Sequence, residues 1–176
     1  MMVFIWGVLL VCAGAVFEAA IGLTGVSLPM VLVISFYVFT AHLQRGLFSV
    51  ACFTAVFIDI HFLRPALPTL LLVPAVLGLA RLWRETGEVT HPAVLFFPGF
   101  LIGLSHCAAM LVFTFLAYRS FASLHPMFFL ADILLPALAL PVLTPLFDSC
   151  ARRAGLPRFC DARPRRKEFY ASRKNT

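Results

Sequence analysis

Charge is what this chain has least of. Only 12% of its 176 residues are Asp, Glu, Lys or Arg, about half the share of a soluble globular domain, which excludes that class. Side-chain amides are nearly missing as well. Gln44 and Asn175 are the only two, which argues against a pocket for a polar ligand. The five cysteines (Cys12, Cys52, Cys107, Cys150 and Cys160) show no CxxC or other metal-ligand spacing, so no metal site is expected. No GxSxG, HExxH, P-loop or dinucleotide fingerprint occurs. Ser105-His106 is mere adjacency, not a nucleophile with its base. No catalytic residue, cofactor or enzymatic activity is therefore expected. Repeats, low-complexity tracts and flexible linkers are absent too, which points to one domain.

What the chain does have is apolar length. Hydrophobic residues make up 61% of it, and a helix needs about 20 mostly apolar residues to cross the hydrocarbon core. Six stretches meet or approach that length: residues 3–20, 22–40, 47–63, 67–82, 93–118 and 127–147. The fold class that follows is an all-α integral membrane protein, a bundle of six transmembrane helices. Five crossings result if the third and fourth blocks form a shallow re-entrant pair. Residues 1–150 are the bundle and residues 151–176 a basic cytoplasmic tail. The first block lacks a basic n-region and has Glu18 where a cleavage site needs small residues, so it reads as a retained helix. Gly22, Thr24 and Gly25, with Pro29 soon after, mark a tight turn before the second block.

The basic residues set the orientation. Nine of the 14 Lys and Arg lie in the last 26 residues, among them Arg152, Arg153, Arg165, Arg166 and Lys167. Basic flanks resist translocation, so the tail is expected in the cytoplasm, and six spans put the N-terminus there as well. Inner loops then carry Arg45, Arg81 and Arg84, and outer loops carry Arg64 and Arg119. Because this charge adjoins a membrane span, anionic lipid rather than nucleic acid is the expected partner of the tail. The tail should begin as a short interfacial helix after Phe147, with Phe159, Phe169 and Tyr170 as anchors. Truncation after Arg158 should then leave folding intact.

Ionisable groups within spans are costly and so face inward with partners. Asp59, His106 and Asp132 are the intramembrane candidates, with Glu18 at the end of the first span. They form either a proton relay or substrate cluster, or a set of helix-to-helix hydrogen bonds. Asp59 and His61, two residues apart, fall on different helix faces. Gly99 and Gly103 form a GxxxG motif, which lets two helix backbones approach closely within the chain or between copies. Pro136, Pro141 and Pro145 in the last span predict a bent helix.

The second to fourth spans carry a family likeness. Pro29 opens a span, Tyr37 follows about two turns later, Arg45-Gly46 makes a short loop, and the next span runs through Phe57-Ile58-Asp59. The last span, ending Leu140-Pro141-Val142-Leu143-Thr144-Pro145-Leu146-Phe147, leads into Arg152-Arg153. Over roughly residues 1–155 the chain resembles the rod shape-determining MreD family. The likeness departs from the family pattern where a Gly/Ser-rich turn is replaced by Phe62-Leu63-Arg64-Pro65. The resemblance implies a multi-pass scaffold of the bacterial inner membrane with an S-component-like fold. Its implied partners are an MreC-like bitopic protein and, through it, a peptidoglycan polymerase–transpeptidase complex. Of the polar positions only Asp59 is carried over. Two alternatives remain: the substrate-binding S component of an energy-coupling-factor vitamin transporter, and a small proton-coupled transporter subunit.

Overall fold

The structure is a computed structural model that describes residues 1–24, 28–42, 44–64, 66–86, 92–119 and 126–161. The regular structure among them is all helical, with no strand. Six α-helices follow in order: α1 (Met2–Gly22), α2 (Met30–Ala41), α3 (Arg45–His61), α4 (Pro68–Thr86), α5 (Phe96–Tyr118) and α6 (Pro126–Arg153). Short 3-10 turns at Pro92–Leu95 and Phe159–Asp161 precede α5 and follow α6. Among the described residues three helical stretches are long and apolar enough to cross a membrane: Met2–Gly22, Ala93–Tyr118 and Phe129–Arg153. At 17 residues, α3 is about 26 Å long, and α4 carries Arg81, Arg84 and Glu85 in its last turns.

The second apolar block behaves differently from its hydropathy. Instead of a span-length helix it forms 12 residues, α2, about 18 Å long. Met30 to Thr40 are all buried, and α2 packs against every other helix. It is the axis of the bundle. A helix apolar on all sides belongs in a core, and so short a helix is stable there only if its end groups find partners in the protein.

α5 and α6 form an antiparallel hairpin that meets through the GxxxG motif. Gly99 faces the backbone of Pro136 and Ala137, and Gly103 faces that of Asp132 and Ile133. The motif is used within the chain. α6 runs on past residue 147 to Arg153 and then stops in a Schellman motif. Leu156 N–H bonds to Ala151 O at 2.9 Å and Gly155 N–H to Arg152 O at 3.2 Å, with Gly155 at φ +66°. Glycine adopts that left-handed backbone without a Cβ penalty. The expected separate interfacial helix after Phe147 is thus the last turns of α6. Arg165, Arg166 and Lys167, with Phe169 and Tyr170, lie outside the described residues.

A closed ionic cluster at one end of the bundle

Four elements converge where α1 and α3 end and α2 and α4 begin. Glu18 of α1 and Asp59 of α3 are fully buried, Thr69 of α4 likewise, and Arg64 in the α3–α4 turn is only 8% exposed. Arg64 Nη1 donates to Glu18 Oε1 at 3.0 Å and to Thr69 Oγ1 at 2.9 Å. These two bonds use both protons of that nitrogen, so Asp59 Oδ1 at 3.5 Å is held mainly by Coulomb attraction. The turn backbone is bent to deliver the guanidinium: Leu63, Ala66 and Leu67 all have left-handed φ, a strained state for residues with a Cβ. Arg64 also lies 4.8 Å over the Phe62 ring, and any Cβ on Gly22 would collide with that ring.

The second oxygen of each carboxylate caps a helix. Glu18 Oε2 accepts the N–H of Val31 at 3.1 Å, and Asp59 Oδ2 accepts the N–H of Leu70 at 3.0 Å. The first amides of α2 are therefore all paired. Met30 N–H bonds to Leu28 O, Val31 to Glu18, and Leu32 and Val33 to Pro29 O. Each helix N-terminus carries about half a positive charge. Two such ends and one guanidinium balance two carboxylates, so the cluster is electrically neutral as well as buried. That is how a short helix can begin deep inside the bundle.

Asp59 thus sits in this cluster, while Arg64, read from the sequence as an outer-loop charge, is its centre. His61 is exposed and stacks on Phe57 at 6.2 Å, apart from Asp59. His106 of α5 is fully buried, and neither ring nitrogen has a hydrogen-bond partner among the described residues. Asp132 of α6 is 8% exposed. Among the described residues no group of three or more His, Cys, Asp or Glu side chains is placed to hold a metal ion. Asp59→Asn should be tolerated better than Asp59→Leu, since asparagine keeps an acceptor for Leu70 N–H. Leucine leaves that amide buried without a partner, at about 1–3 kcal/mol, which thermal unfolding of the two variants would register.

A second polar knot ties down the opposite end. Asp148 Oδ1 accepts Tyr37 O–H and Phe159 N–H, both at 2.8 Å, and Oδ2 accepts Cys160 N–H at 3.4 Å. Phe159 is 1% exposed. Its ring stacks on Tyr37 with centroids 5.8 Å apart and touches Phe36, which in turn meets Trp83 edge-on. The expected membrane anchor is in fact a plug in the bundle's tail end. Truncation after Arg158 therefore carries a different expectation. Losing a buried Phe should cost about 1.5–3 kcal/mol and expose Asp148, whereas truncation after Asp161 should change little. Thermal melts of the two truncations distinguish these results.

His42, the C-cap of α2, is buried beside this knot, 4% exposed, and its N–H bonds to Val38 O. Burial holds its pKa below the usual 6.5; Arg84 pushes the same way and Asp148 opposes them. The folded state thus favours the neutral ring. Below about pH 6.5 the unfolded chain binds a proton that the folded chain resists, so stability falls as pH drops through that region. Melting at pH 8 and pH 5.5 should show this loss in the parent, and His42→Gln should show less of it.

Compared with known proteins, the chain has no matching family model, no matching curated protein and no matching solved structure.

Proposed function

We propose that the chain is a non-enzymatic scaffold of the cell-elongation machinery in the bacterial inner membrane. In this reading it is MreD-like and holds an MreC-like bitopic partner and, through it, the peptidoglycan polymerase–transpeptidase complex. The observation that carries the reading is the closed cluster. Glu18 and Asp59, the deepest acids, each join Arg64 to a helix N-terminus, which is a structural task rather than a transport one. In this reading the six-helix bundle lies in the membrane with both termini cytoplasmic, α2 starting inside the bundle instead of spanning its full depth. The burial of Arg64 removes it from the outer loops, which leaves Arg119 alone against Arg45, Arg81, Arg84 and the tail; this sharpens the positive-inside bias. The vitamin-binding alternative finds little support. A groove of about 500 Å³ between α1 and α6 is lined only by Ala, Ile, Leu, Met, Phe and Val. The proton-coupled alternative keeps one observation in its favour, the unbonded imidazole of His106.

Co-expression with the MreC-type protein of the same genome should give a complex that survives detergent extraction. Depleting the chain should turn rod-shaped cells round. Normal shape after depletion, with loss of vitamin uptake, would replace the scaffold reading with the S-component one.

A further inference from the structure

The tail end of the bundle holds a buried imidazole that the knot around Asp148 does not use. His42 caps α2 and is 4% exposed, and its Nε2 has no hydrogen-bond partner among the described residues. Two charged groups act on it, Arg84 of α4 and Asp148 of α6. The other charged side chains of this end, Arg45 of α3, Arg81 and Glu85 of α4, and Arg152 and Arg153 of α6, are exposed. Arg158 beside the plug is half-buried, and the thiols of Cys150 and Cys160 are exposed. α1 and α5 bring no charged side chain to this end.

A neutral ring is tolerated in such a place, but a charged one needs an anion. Among the described residues Asp148 is the only acid at this end that is not exposed. Its two oxygens are unequally used. Oδ1 accepts Tyr37 O–H and Phe159 N–H, both at 2.8 Å, whereas Oδ2 accepts only the long 3.4 Å bond from Cys160 N–H. Both amides belong to the three-residue turn that carries the Phe159 plug. A hydrogen bond from a charged donor to a carboxylate is about twice as strong as one between neutral groups. A proton on His42 therefore takes Oδ2 from Cys160 and turns the carboxylate away from Phe159. The C-terminal carbonyls of α2 favour the same charge.

We propose that His42, Asp148 and the Phe159 turn form an acid-released latch. At neutral pH Asp148 holds the turn in the bundle. A proton taken up by His42 redirects the carboxylate to the imidazolium and frees the turn, together with the basic tail that follows it. The closed form keeps the ring buried and neutral, while the open form pairs its charge, so the open form binds the proton more tightly. Falling pH therefore opens the latch and rising pH closes it. This device is independent of the scaffold reading.

The test is amide hydrogen exchange of the full-length chain in detergent at pH 8 and pH 5.5, with labelling times scaled to the intrinsic rate at each pH. Electron-transfer fragmentation reads the amides of Phe159 and Cys160 separately. On going to pH 5.5 their protection should fall about tenfold further than that of the α2 core, Met30–Thr40. His42→Gln should be protected alike at both pH values, and His42→Asn repeats the test if glutamine does not fold. Asp148→Asn, whose amide carries no charge to pair with an imidazolium, should lose the pH dependence as well. Equal protection of the turn at both pH values in the parent would overturn the proposal. So would a fall that persists in His42→Gln or in Asp148→Asn. A fall shared equally by the α2 core would be loss of global stability, and it would overturn the latch too.

Discussion

Arg64→Met should destabilise the protein by about 3–5 kcal/mol. Removing the guanidinium leaves Glu18 and Asp59 buried near each other with no cation, and an uncompensated buried charge costs that much. The carboxylates would have to protonate or draw in water, and in either case the starts of α2 and α4 loosen. Arg64→Lys should recover little. Both bonds come from the one Nη1; the shorter lysine side chain does not carry its ammonium to that position, and it stacks less well on Phe62. The informative variant neutralises the whole cluster. Glu18→Gln with Asp59→Asn keeps an acceptor for Val31 N–H and another for Leu70 N–H, and Arg64→Met then removes the charge that has lost its partners. Replacing a buried ionic cluster by neutral groups of similar volume is often harmless. The triple variant should therefore regain most of the stability that Arg64→Met loses, as read by equilibrium unfolding in detergent. If the triple variant is as unstable as the single one, the direct bonds of the Arg64 guanidinium to Glu18 and Thr69, and not charge balance, hold this end together.

Gly99→Ala and Gly103→Ala should be nearly as damaging, although each adds one methyl. A Cβ on Gly99 would lie 2.5 Å from Pro136 O and 2.8 Å from Ala137 Cα. On Gly103 it would lie 2.8 Å from Asp132 O and 2.9 Å from Ile133 Cα. These neighbours are backbone and cannot turn away as a side chain can, so the α5–α6 hairpin must separate. Overpacking of that kind costs about 1–3 kcal/mol, and leucine at either site should abolish stable folding. Gly78 supplies the control. A Cβ there meets nothing within 4 Å, and alanine in a helix gains up to about 1 kcal/mol over glycine. Melting temperatures of the three alanine variants should thus split in sign, two lowered and one unchanged or raised.

Much of this was legible in the sequence, and the limits have physical causes. The helices follow from apolar length, and the spacing of Gly99 and Gly103 points to close backbone approach, though not to which helix approaches. Asp59 stands out because an acid in an apolar run needs a partner. That partner is the residue hydropathy hides. Arg64 sits beside a proline in what reads as a loop, and its main acceptor is 46 positions away. The brevity of α2 is hidden for a related reason. Residues 22–40 are apolar enough to span, but the helix starts only after Pro29, and its first free amide depends on a carboxylate from α1. At the tail, the Gly155-Leu156-Pro157 sequence is a readable helix stop. The burial of Phe159 is not readable, because the surrounding arginines mark the segment as surface.

The central claim is that Glu18, Asp59 and Arg64 form a self-balancing structural cluster and, on the proposed scaffold reading, carry no part of the function. On that proposed reading, the most direct test puts the charge-neutral variant, Glu18→Gln, Asp59→Asn and Arg64→Met, in place of the native chain in its host cell. Folding is checked by its melt, and function by rod shape and capture of the MreC-type partner. The account predicts a folded protein that restores rod shape and captures the partner as the parent does. A variant that folds as well as the parent, yet leaves cells round or fails to hold the partner, would contradict it and make the cluster a working site.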